Sequence, residues 1–291
     1  MKIYFDCLQC FVRQTLDAVR LFTADEKVHE KVLRYMFNEV GNMDFYQSPP
    51  EIAQRIHRTI RELLNDNDPY RSIKDSSNRM AMNLFPELEK RIEQSNNPFE
   101  LALRYAIAGN IIDFGVHSRI EESLVHETLY RAEQDYISPE SIEDFKHAVD
   151  KADNIVYLGD NCGEIVFDRL LLEQLPHGKI TYVVRGKPII NDVTMADARF
   201  AGITELVKVI DNGSDAPGTV PEDCSPEFID LFNNADLIIA KGQGNYESLS
   251  TVDKNIYFVF MAKCKVVAQD IGCEVGSFVL KSNSFEIIKS T

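Results

Sequence analysis

The segment YLGDNCGEIVFDRLLLEQL, residues 157–175, joins a short apolar run to a stretch with helical spacing. Asp160 and Glu164 lie at this junction, where a strand ends and a helix begins. Many proteins bind phosphate at such a junction through backbone N–H groups. Either carboxylate taken singly is interpreted as a helix cap, because negative side chains stabilise a helix N-terminus. Two carboxylates at one junction nevertheless indicate a further role.

After Lys151 the sequence alternates short β-rich runs with helical stretches. The first four runs are almost entirely apolar, which is typical of parallel strands covered on both faces. We therefore predict that residues 151–291 form an α/β domain with a mostly parallel, doubly wound sheet. The predicted strands are NIVYLG, KITYVVR, ELVKVI, ADLIIAK, NIYFVFMA and KVVAQ.

The first 150 residues have a different pattern. Apolar residues recur there at spacings of three and four, as in CFVRQTLDAVRLF, residues 10–22, which indicates amphipathic helices. Breaks such as QSPPE and NDNDPY combine proline with polar turn residues. Residues 1–150 are therefore predicted to form a helical subdomain.

The composition excludes several classes of partner. The chain of 291 residues has 46 acidic and 31 basic residues, and its formal net charge is −15. Such a surface repels nucleic acid and anionic lipid unless a local basic patch offsets it, and the sequence contains none. No run reaches eighteen apolar residues, so we expect no membrane association and a cytoplasmic location.

The six cysteines do not read as a disulfide framework in a chain expected in a reducing compartment. Cys7 and Cys10 form a CxxC pair, which could supply half of a zinc site or a redox couple. A four-ligand zinc site needs a second pair, and the other four cysteines are scattered. We therefore interpret Cys7 and Cys10 as small, half-buried helix residues.

Polar side chains follow three of the predicted strands. Ligands of a doubly wound sheet bind at the carboxyl ends of its strands, so we expect these side chains to share one edge. They are Asp160, Asn161 and Glu164 after the first run, Arg185 and Asp192 after the second, and Lys241, Asn245 and Glu247 after the fourth.

The chemistry of this edge favours a cation. Asp160 and Asp192, if brought close together, would repel each other unless a positive ion lay between them. Hard divalent ions prefer carboxylate oxygens together with an amide carbonyl such as that of Asn161. A metal held there would attract an anionic group, whose other oxygens Arg185 and Lys241 could neutralise.

With these motifs, the sequence resembles the metal-dependent damage-control phosphatases, a family long catalogued as domain of unknown function 89. The resemblance covers nearly the whole chain, and the N-terminal CxxC and compact length are most similar to the prokaryotic branch. It implies a Rossmann-like α/β domain packed against a helical N-terminal part, with a cleft between them. The matching segments are GDNCGE, RGKPIINDVTMADA, NGSDAPGT and KGQGNYE in the second half, and CLQC, DPYRSIK and AGNIIDFG in the first.

The same resemblance implies hydrolysis of small phosphorylated metabolites with a divalent ion, commonly Mn, Co, Ni or Mg. The oligomeric state is left open. Asn110 and Asp113 in AGNIIDFG either satisfy neighbouring backbone groups or face the cleft and bind substrate. The other residues implied at the site are Asp160, Asn161 and Asp192 as metal ligands, Asp160, Glu164, Arg185 and Lys241 as catalytic groups, and Asn245 and Glu247 as substrate-binding groups.

Several neighbouring residues have simpler interpretations. Asp197 lies three residues after Thr194, which is the spacing of a capping box. Asp68 and Lys74 in DPYRSIK are expected in a turn and on the surface. Cys162 is interpreted as a small residue tolerated in a tight turn, and the six histidines as structural.

Three alternative functions remain to be weighed against the phosphatase. An S-adenosylmethionine-dependent carboxyl methyltransferase would ordinarily have a glycine-rich loop after the first strand, where this chain has GDNCGE. A non-catalytic nucleotide-binding module could use KGQGNYE, although that segment lacks the full phosphate-loop pattern. A phosphatase with an aspartate nucleophile would need a D-x-D pair, and Asp160 is followed by Asn161 and Cys162. A metal-dependent phosphatase agrees best with the residues.

Overall fold

The computed structural model describes residues 1–109 and 122–283. Up to Lys151 the described chain is helical, as predicted, and Pro or a polar cap marks several helix starts. Ser48 and Glu51 form a reciprocal capping box at the start of the third helix. The helices are α1 Cys7–Phe22, α2 Glu26–Asn42, α3 Pro49–Leu64, α4 Arg71–Glu93, α5 Pro98–Ala108, α6 Glu122–Gln134 and α7 Pro139–Lys151.

The rest of the chain forms a sheet with helices between its strands. Its strand order is β3-β2-β1-β4-β5-β6, parallel except for the last strand, which is antiparallel to its neighbour. This confirms the predicted fold class. The strands are β1 Ile155–Leu158, β2 Ile180–Val184, β3 Lys208–Asp211, β4 Leu237–Lys241, β5 Ile256–Met261 and β6 Phe278–Ser282. The helices are α8 Glu164–Leu172, α9 Met195–Phe200, α10 Pro226–Asn233, α11 Gly242–Leu249 and α12 Lys265–Ile271.

The sixth predicted strand was wrong. KVVAQ begins α12, whose N-cap Cys264 accepts the Val267 N–H at Sγ and whose C-cap Gly272 is left-handed. A short apolar run between helix-start and helix-stop residues cannot be distinguished from a strand by periodicity alone. The edge strand is instead Phe278–Ser282.

Both faces of the sheet are covered, which explains the continuous apolar runs. One face carries Tyr157 and Tyr182 and packs with residues of α4, α5, α7 and α8 in one buried cluster. The other face packs against α10, α11 and α12. Helices α1, α2 and α3 have a separate core of their own. Helix α7 ends at Lys151, and the cluster of buried residues continues past this point into the sheet. The division into two domains near residue 150 stays a prediction.

The strand order reverses direction between β1 and β4. From β1 the chain proceeds outward through β2 and β3, and from β4 it proceeds the opposite way through β5. The crevice at the carboxyl ends of such a strand pair is where open α/β sheets bind ligands. No helix in the described part of the chain is long and apolar enough to cross a membrane.

Candidate metal and phosphate site

Backbone hydrogen bonds join the loop after β1 to the loop after β2. The Val193 N–H donates to the Asp160 carbonyl at 2.9 Å, and the Cys162 N–H donates to the Asn191 carbonyl at 2.8 Å. Between these bonds, Asn161 and Asp192 form an isolated antiparallel bridge. The two segments that carry the predicted metal ligands are therefore fastened side by side at the crevice.

The turn before Asp192 contains an unusual backbone conformation. Ile190 has φ of 41°, a left-handed value that a β-branched residue rarely adopts. The turn is closed by the Asp192 N–H, which donates to the Ile189 carbonyl at 3.0 Å. Strained positions of this kind tend to occur at functional sites, where the surrounding structure holds them in place.

Side-chain contacts bring the predicted ligands and Arg185 together. Arg185 Nε donates to Asp192 Oδ2 at 2.7 Å, and its Nη2 lies 3.7 Å from Asp160 Oδ1. Asn161 Nδ2 donates to Asp160 Oδ2 at 2.5 Å and to Glu164 Oε2 at 3.2 Å. Asp160, Glu164, Arg185 and Asp192 are all buried. Arg185 Nη2 finds no hydrogen-bond acceptor among the described residues.

Gly242, which follows β4, closes the other side of the crevice. Its φ is +80°, and a Cβ added there would lie 1.9 Å from Asp160 Oδ2. Only glycine permits both the positive φ and this close approach. The first residue of α11, directly after β4, therefore lies close against the Asp160 carboxylate.

Burial changes the acidity of the carboxylates. It raises the pKa of Asp160 well above the ordinary value, and the nearby charges of Glu164 and Asp192 raise it further, against the opposing effect of Arg185. Burial also raises the pKa of Asp192, although Arg185 partly offsets the shift. An added cation would reverse these shifts, because it stabilises the ionised forms.

A second buried hydrogen-bond network, centred on Lys241, shares Glu164 with the first. Lys241 Nζ donates to Glu164 Oε1 at 2.8 Å, to Asp168 Oδ1 at 2.5 Å and to the Ala106 carbonyl at 2.9 Å. These three bonds use all three ammonium donors. Burial by itself would lower the pKa of Lys241, but Asp168 and Glu164 raise it above the ordinary value. Lys241 therefore stays charged and holds Glu164 in place.

Asp168 is fully buried within this network. Tyr157 and Tyr182 donate their hydroxyl groups to its two carboxylate oxygens, each at 2.9 Å. The two tyrosines are partners in the register of β1 and β2, and their rings stack with centroids 5.1 Å apart. Asp168 was not among the predicted site residues, although a carboxylate four residues after Glu164, in a helix whose other residues are apolar except Arg169, was a usable signal.

The charges of the two connected networks do not balance. The buried carboxylates of Asp160, Glu164, Asp168 and Asp192 number four, and the buried cations Arg185 and Lys241 number two. The buried carboxylates therefore outnumber the buried cations, although the exposed Lys263 also acts on Asp160, and an added cation would stabilise their ionised forms. Within the described residues no group of three or more His, Cys, Asp or Glu side chains has the arrangement of a metal site. A cation here would thus depend on two carboxylates, the Asn161 amide oxygen and water, a donor set suited to hard ions.

Comparison with known proteins assigns the family. A family model described as the damage-control phosphatase ARMT1-like domain matches residues 3–279. The chain belongs to this family. An uncharacterised protein of Methanocaldococcus jannaschii is 40% identical over 96% of this chain and 95% of its own length. A damage-control phosphatase of Archaeoglobus fulgidus is 36% identical over 97% of this chain and 99% of its own.

A solved structure supports the same assignment. The crystal structure of a DUF89 family protein from Pyrococcus horikoshii matches with a TM-score of 0.88 and 31% identity. The match covers 98% of this chain and 100% of that chain. Membership of the ARMT1-like damage-control family supports a phosphatase that acts in metabolite repair.

Of the two residues of this ARMT1-like chain that follow β4 and were predicted to bind substrate, Asn245 lies near Arg185, whereas Glu247 lies toward α1. Asn245 is buried, accepts the Thr219 hydroxyl at 2.8 Å and thereby connects to Arg185, whose Nη1 lies 3.5 Å from the same hydroxyl. Glu247 instead accepts a hydrogen bond from Gln243 at 2.8 Å. Burial raises the pKa of the Cys7 and Cys10 thiols of α1, and the charge of Glu247 raises it further. Burial raises the pKa of Glu247 to about 7. Asn110 and Asp113 lie outside the described residues.

The motif DPYRSIK proved to be more important for the fold than expected. Lys74 was predicted on the surface, but its side chain is fully buried, and Nζ lies 3.5 Å from both Asp68 and Asp197. The prediction was wrong because α4 packs against α8 and α9, which covers this face of the helix. Asp197 does form the predicted capping box with Thr194.

A different set of charges joins α3 to the loop after β3. Asp215 accepts bonds from Arg58, Arg61 and Gln54, and the Arg58 Nε distance to Oδ1 is 3.0 Å. Burial would raise the pKa of Asp215, but the bonds from Arg58 and Gln54 lower it below the ordinary value. We call these four residues the arginine bridge.

Proposed function

We propose that this chain is a divalent-metal-dependent phosphatase that hydrolyses monoesters of small phosphorylated metabolites, such as sugar phosphates, nucleotides or cofactor fragments. One observation carries the proposal: Asp160, Asn161 and Asp192 converge beside Arg185 at the crevice where the strand order reverses. Damage control, the removal of reactive or unwanted phosphoesters, is the role proposed from the family. A cytoplasmic location, which agrees with six free cysteines, is part of the proposal.

The proposed metal ligands are Asp160, Asn161 and Asp192, with Mn, Co, Ni or Mg as the ion. Such an ion would supply Lewis-acid polarisation of a phosphoryl oxygen and a lower pKa for water at the site. The larger number of buried carboxylates than of buried cations supports this assignment, since buried charges are normally paired or coordinated to metals.

Arg185 is the proposed phosphate-binding residue. Its Nε is held by Asp192, and its buried Nη2 has no acceptor among the described residues. A phosphoryl oxygen would provide that acceptor, and a preorganised cationic donor stabilises the charge that develops during transfer. Asn245 acts through Thr219, which lies between Asn245 and the guanidinium.

Glu164 and Lys241 are proposed to act as a pair. Glu164 Oε1 is held by Lys241, and Oε2 faces Asn161 at the site. Glu164 is therefore placed to accept a proton from the attacking water. A direct contact between Lys241 and phosphate would require the ammonium to give up one of its three present bonds, so its proposed task is to position Glu164.

The reaction is a simple hydrolysis. The water oxygen forms a bond to phosphorus, and the ester P–O bond breaks on the opposite side. One proton passes to Glu164 and then to solvent, and the departing alkoxide takes a proton from water. The products are an alcohol and inorganic phosphate.

The test is an assay of the purified protein against a panel of phosphate monoesters, with Mn, Co, Ni or Mg and after chelation. We expect activity with at least one ester that depends on the metal. Asp160→Asn and Asp192→Asn should reduce both metal content and turnover by more than about a hundredfold, because they remove the charge of a ligand and not merely a hydrogen bond to a ligand. Asp215→Asn in the arginine bridge is the matched control and should retain both.

Two results would contradict the proposal. Full turnover in Asp192→Asn with metal still bound would show that the site assignment is wrong. Calorimetric titration with S-adenosylmethionine separates the methyltransferase alternative, for which we expect no binding. Tight binding of that cofactor together with no release of phosphate would favour the methyltransferase.

A further inference from the structure

Asn78 on α4 connects the helical half to the candidate site by two buried hydrogen bonds. Its Oδ1 accepts the Gly163 N–H at 2.7 Å, and its Nδ2 donates to Asp197 Oδ1 at 3.0 Å. The side chain is only 2% exposed. A backbone N–H can only donate and an ionised carboxylate can only accept, so these partners determine the orientation of the amide.

The bond to Gly163 holds the backbone between the proposed metal ligands and Glu164. Gly163 has φ of +80° and directly precedes α8. Asn161 lies two residues earlier and Glu164 one residue later. Asn78 therefore holds in place the short backbone segment that joins Asn161 to Glu164.

The bond to Asp197 leads to the second ligand-bearing loop. Asp197 Oδ2 accepts both the Thr194 N–H at 2.9 Å and the Thr194 hydroxyl at 2.6 Å. Thr194 lies two residues after Asp192 and forms a bridge with Arg185. One carboxylate thus holds the loop after β2 and also holds Asn78.

A buried cation keeps this carboxylate ionised. Burial by itself would raise the pKa of Asp197, but Lys74 and the Thr194 hydrogen bonds lower it below the ordinary value. Lys74 and Asn78 are four residues apart on α4 and so present their side chains on one face of the helix. Two turns of α4 thereby supply Arg71, Lys74 and Asn78 to Asp197.

We propose that Asn78 is a positioning residue, which together with Asp197 sets the spacing between the loop of Asp160 and Asn161 and the loop of Asp192. The inference rests on the proposed function in that the spacing is taken to serve metal binding. Loss of a hydrogen bond to a metal ligand typically costs 10-fold to 100-fold in metal affinity or activity. Asn78 bonds the backbone beside the ligands and not a ligand itself, so we expect a loss toward the lower end of this range. The helical half then contributes to the site through α4, independently of any contact with substrate.

The experiment compares Asn78→Ala with Ser77→Ala. Ser77 is equally buried on the same helix, but among the described residues its hydroxyl bonds only to the Ile73 carbonyl. Hydrogen exchange of the metal-free protein measures the loops directly, and calorimetric titration with Mn measures the consequence. Asn78→Ala should accelerate exchange of residues 160–164 and weaken Mn binding by about 10-fold. Ser77→Ala should do neither.

A donor–acceptor exchange provides the rescue. Asn78→Asp alone keeps an acceptor for Gly163 but places two carboxylates face to face, so it should weaken Mn binding. The double variant Asn78→Asp with Asp197→Asn restores one donor and one acceptor, and it should recover most of the affinity and the slow exchange.

The outcomes separate this inference from the proposed function. Unchanged Mn affinity in Asn78→Ala overturns the inference, as does a double variant no better than Asn78→Asp. If the wild-type protein binds neither Mn nor another divalent ion, the proposed function fails instead. The positioning role of Asn78 is then tested by hydrogen exchange of residues 160–164. Faster exchange in Asn78→Ala but not in Ser77→Ala supports that role, and equal exchange in the two variants overturns it.

Discussion

Asp160 and Asp215 are the same chemical group in two contrasting surroundings. Both are almost fully buried, with 7% and 3% exposure. The pKa of Asp160 is raised well above the ordinary value, whereas that of Asp215 is lowered. Asp215 meets two arginines, while Asp160 shares Arg185 with Asp192 and also faces Glu164.

The difference teaches that burial raises the pKa of both carboxylates, and that the surrounding cations and hydrogen bonds overcome this effect at Asp215 but not at Asp160. A buried ion pair with enough cations joins two elements, and a buried carboxylate cluster with too few is costly until a cation arrives. The arginine bridge is of the first kind and fastens α3 to the loop after β3. The strand-end carboxylates are of the second kind.

The largest expected effect comes from removing one of the two buried cations of the strand-end carboxylate cluster, which already has fewer cations than carboxylates. Lys241→Met leaves Glu164 and Asp168 buried without their shared partner, and breaking such a buried pair costs about 3–5 kcal/mol. Urea unfolding of the metal-free protein measures the loss. Arg58→Met is the control, because Arg58 is partly exposed and Asp215 keeps Arg61, so we expect about 1 kcal/mol or less. Equal losses in the two variants would remove the contrast between the two regions.

A second effect arises on the basic side from His57, which is buried near Arg61. Burial, and then the charge of Arg61, lower the pKa of His57 to about 4 from 6.5. Between these values the unfolded chain binds a proton that the folded protein does not, so stability falls as pH drops from about 6.5 to 4. The loss amounts to about 3 kcal/mol. Denaturation at several pH values should show it, and His57→Gln should have a flatter profile. Parallel profiles would contradict this prediction.

A third prediction concerns catalysis. Arg185→Ala should reduce turnover by about a hundredfold, the scale of one preorganised donor, with a smaller change in metal affinity. Arg58→Ala, in the arginine bridge, should change turnover less than about threefold. Steady-state kinetics on the best ester of the panel decides the matter. Wild-type turnover in Arg185→Ala would place phosphate binding elsewhere.

The smallest expected effect is in the balanced region itself. Asp215→Asn keeps the shape of the side chain but weakens its charge-assisted bonds, and we expect a loss of about 2 kcal/mol in the free energy of unfolding. Metal content and turnover should stay at the wild-type level. Loss of metal in Asp215→Asn would show that the two regions are not independent.

Much of the architecture was predictable from local patterns. Five strands were identified because strands covered on both faces are written as apolar runs, and the helical half because its apolar residues recur at helical spacing. The convergence of Asp160 with Asp192 was also predictable, because the carboxyl ends of parallel neighbours meet at one edge. KVVAQ failed because its run is short and its helix depends on the cap at Cys264 and the stop at Gly272.

The sequence by itself determined the fold class and the residue types at the strand ends. Only the tertiary structure decided which partner each side chain has. Asn78 lies 85 residues from Gly163 and Lys241 lies 73 from Asp168, so no spacing pattern connects them. Lys74 was expected on the surface because its partner Asp197 lies 123 residues away in the sequence, and no local pattern predicts that α4 packs against α8 and α9. Local periodicity records which face of an element is apolar, whereas the pairing of buried charges depends on which elements pack together, and that is settled only when the whole core forms.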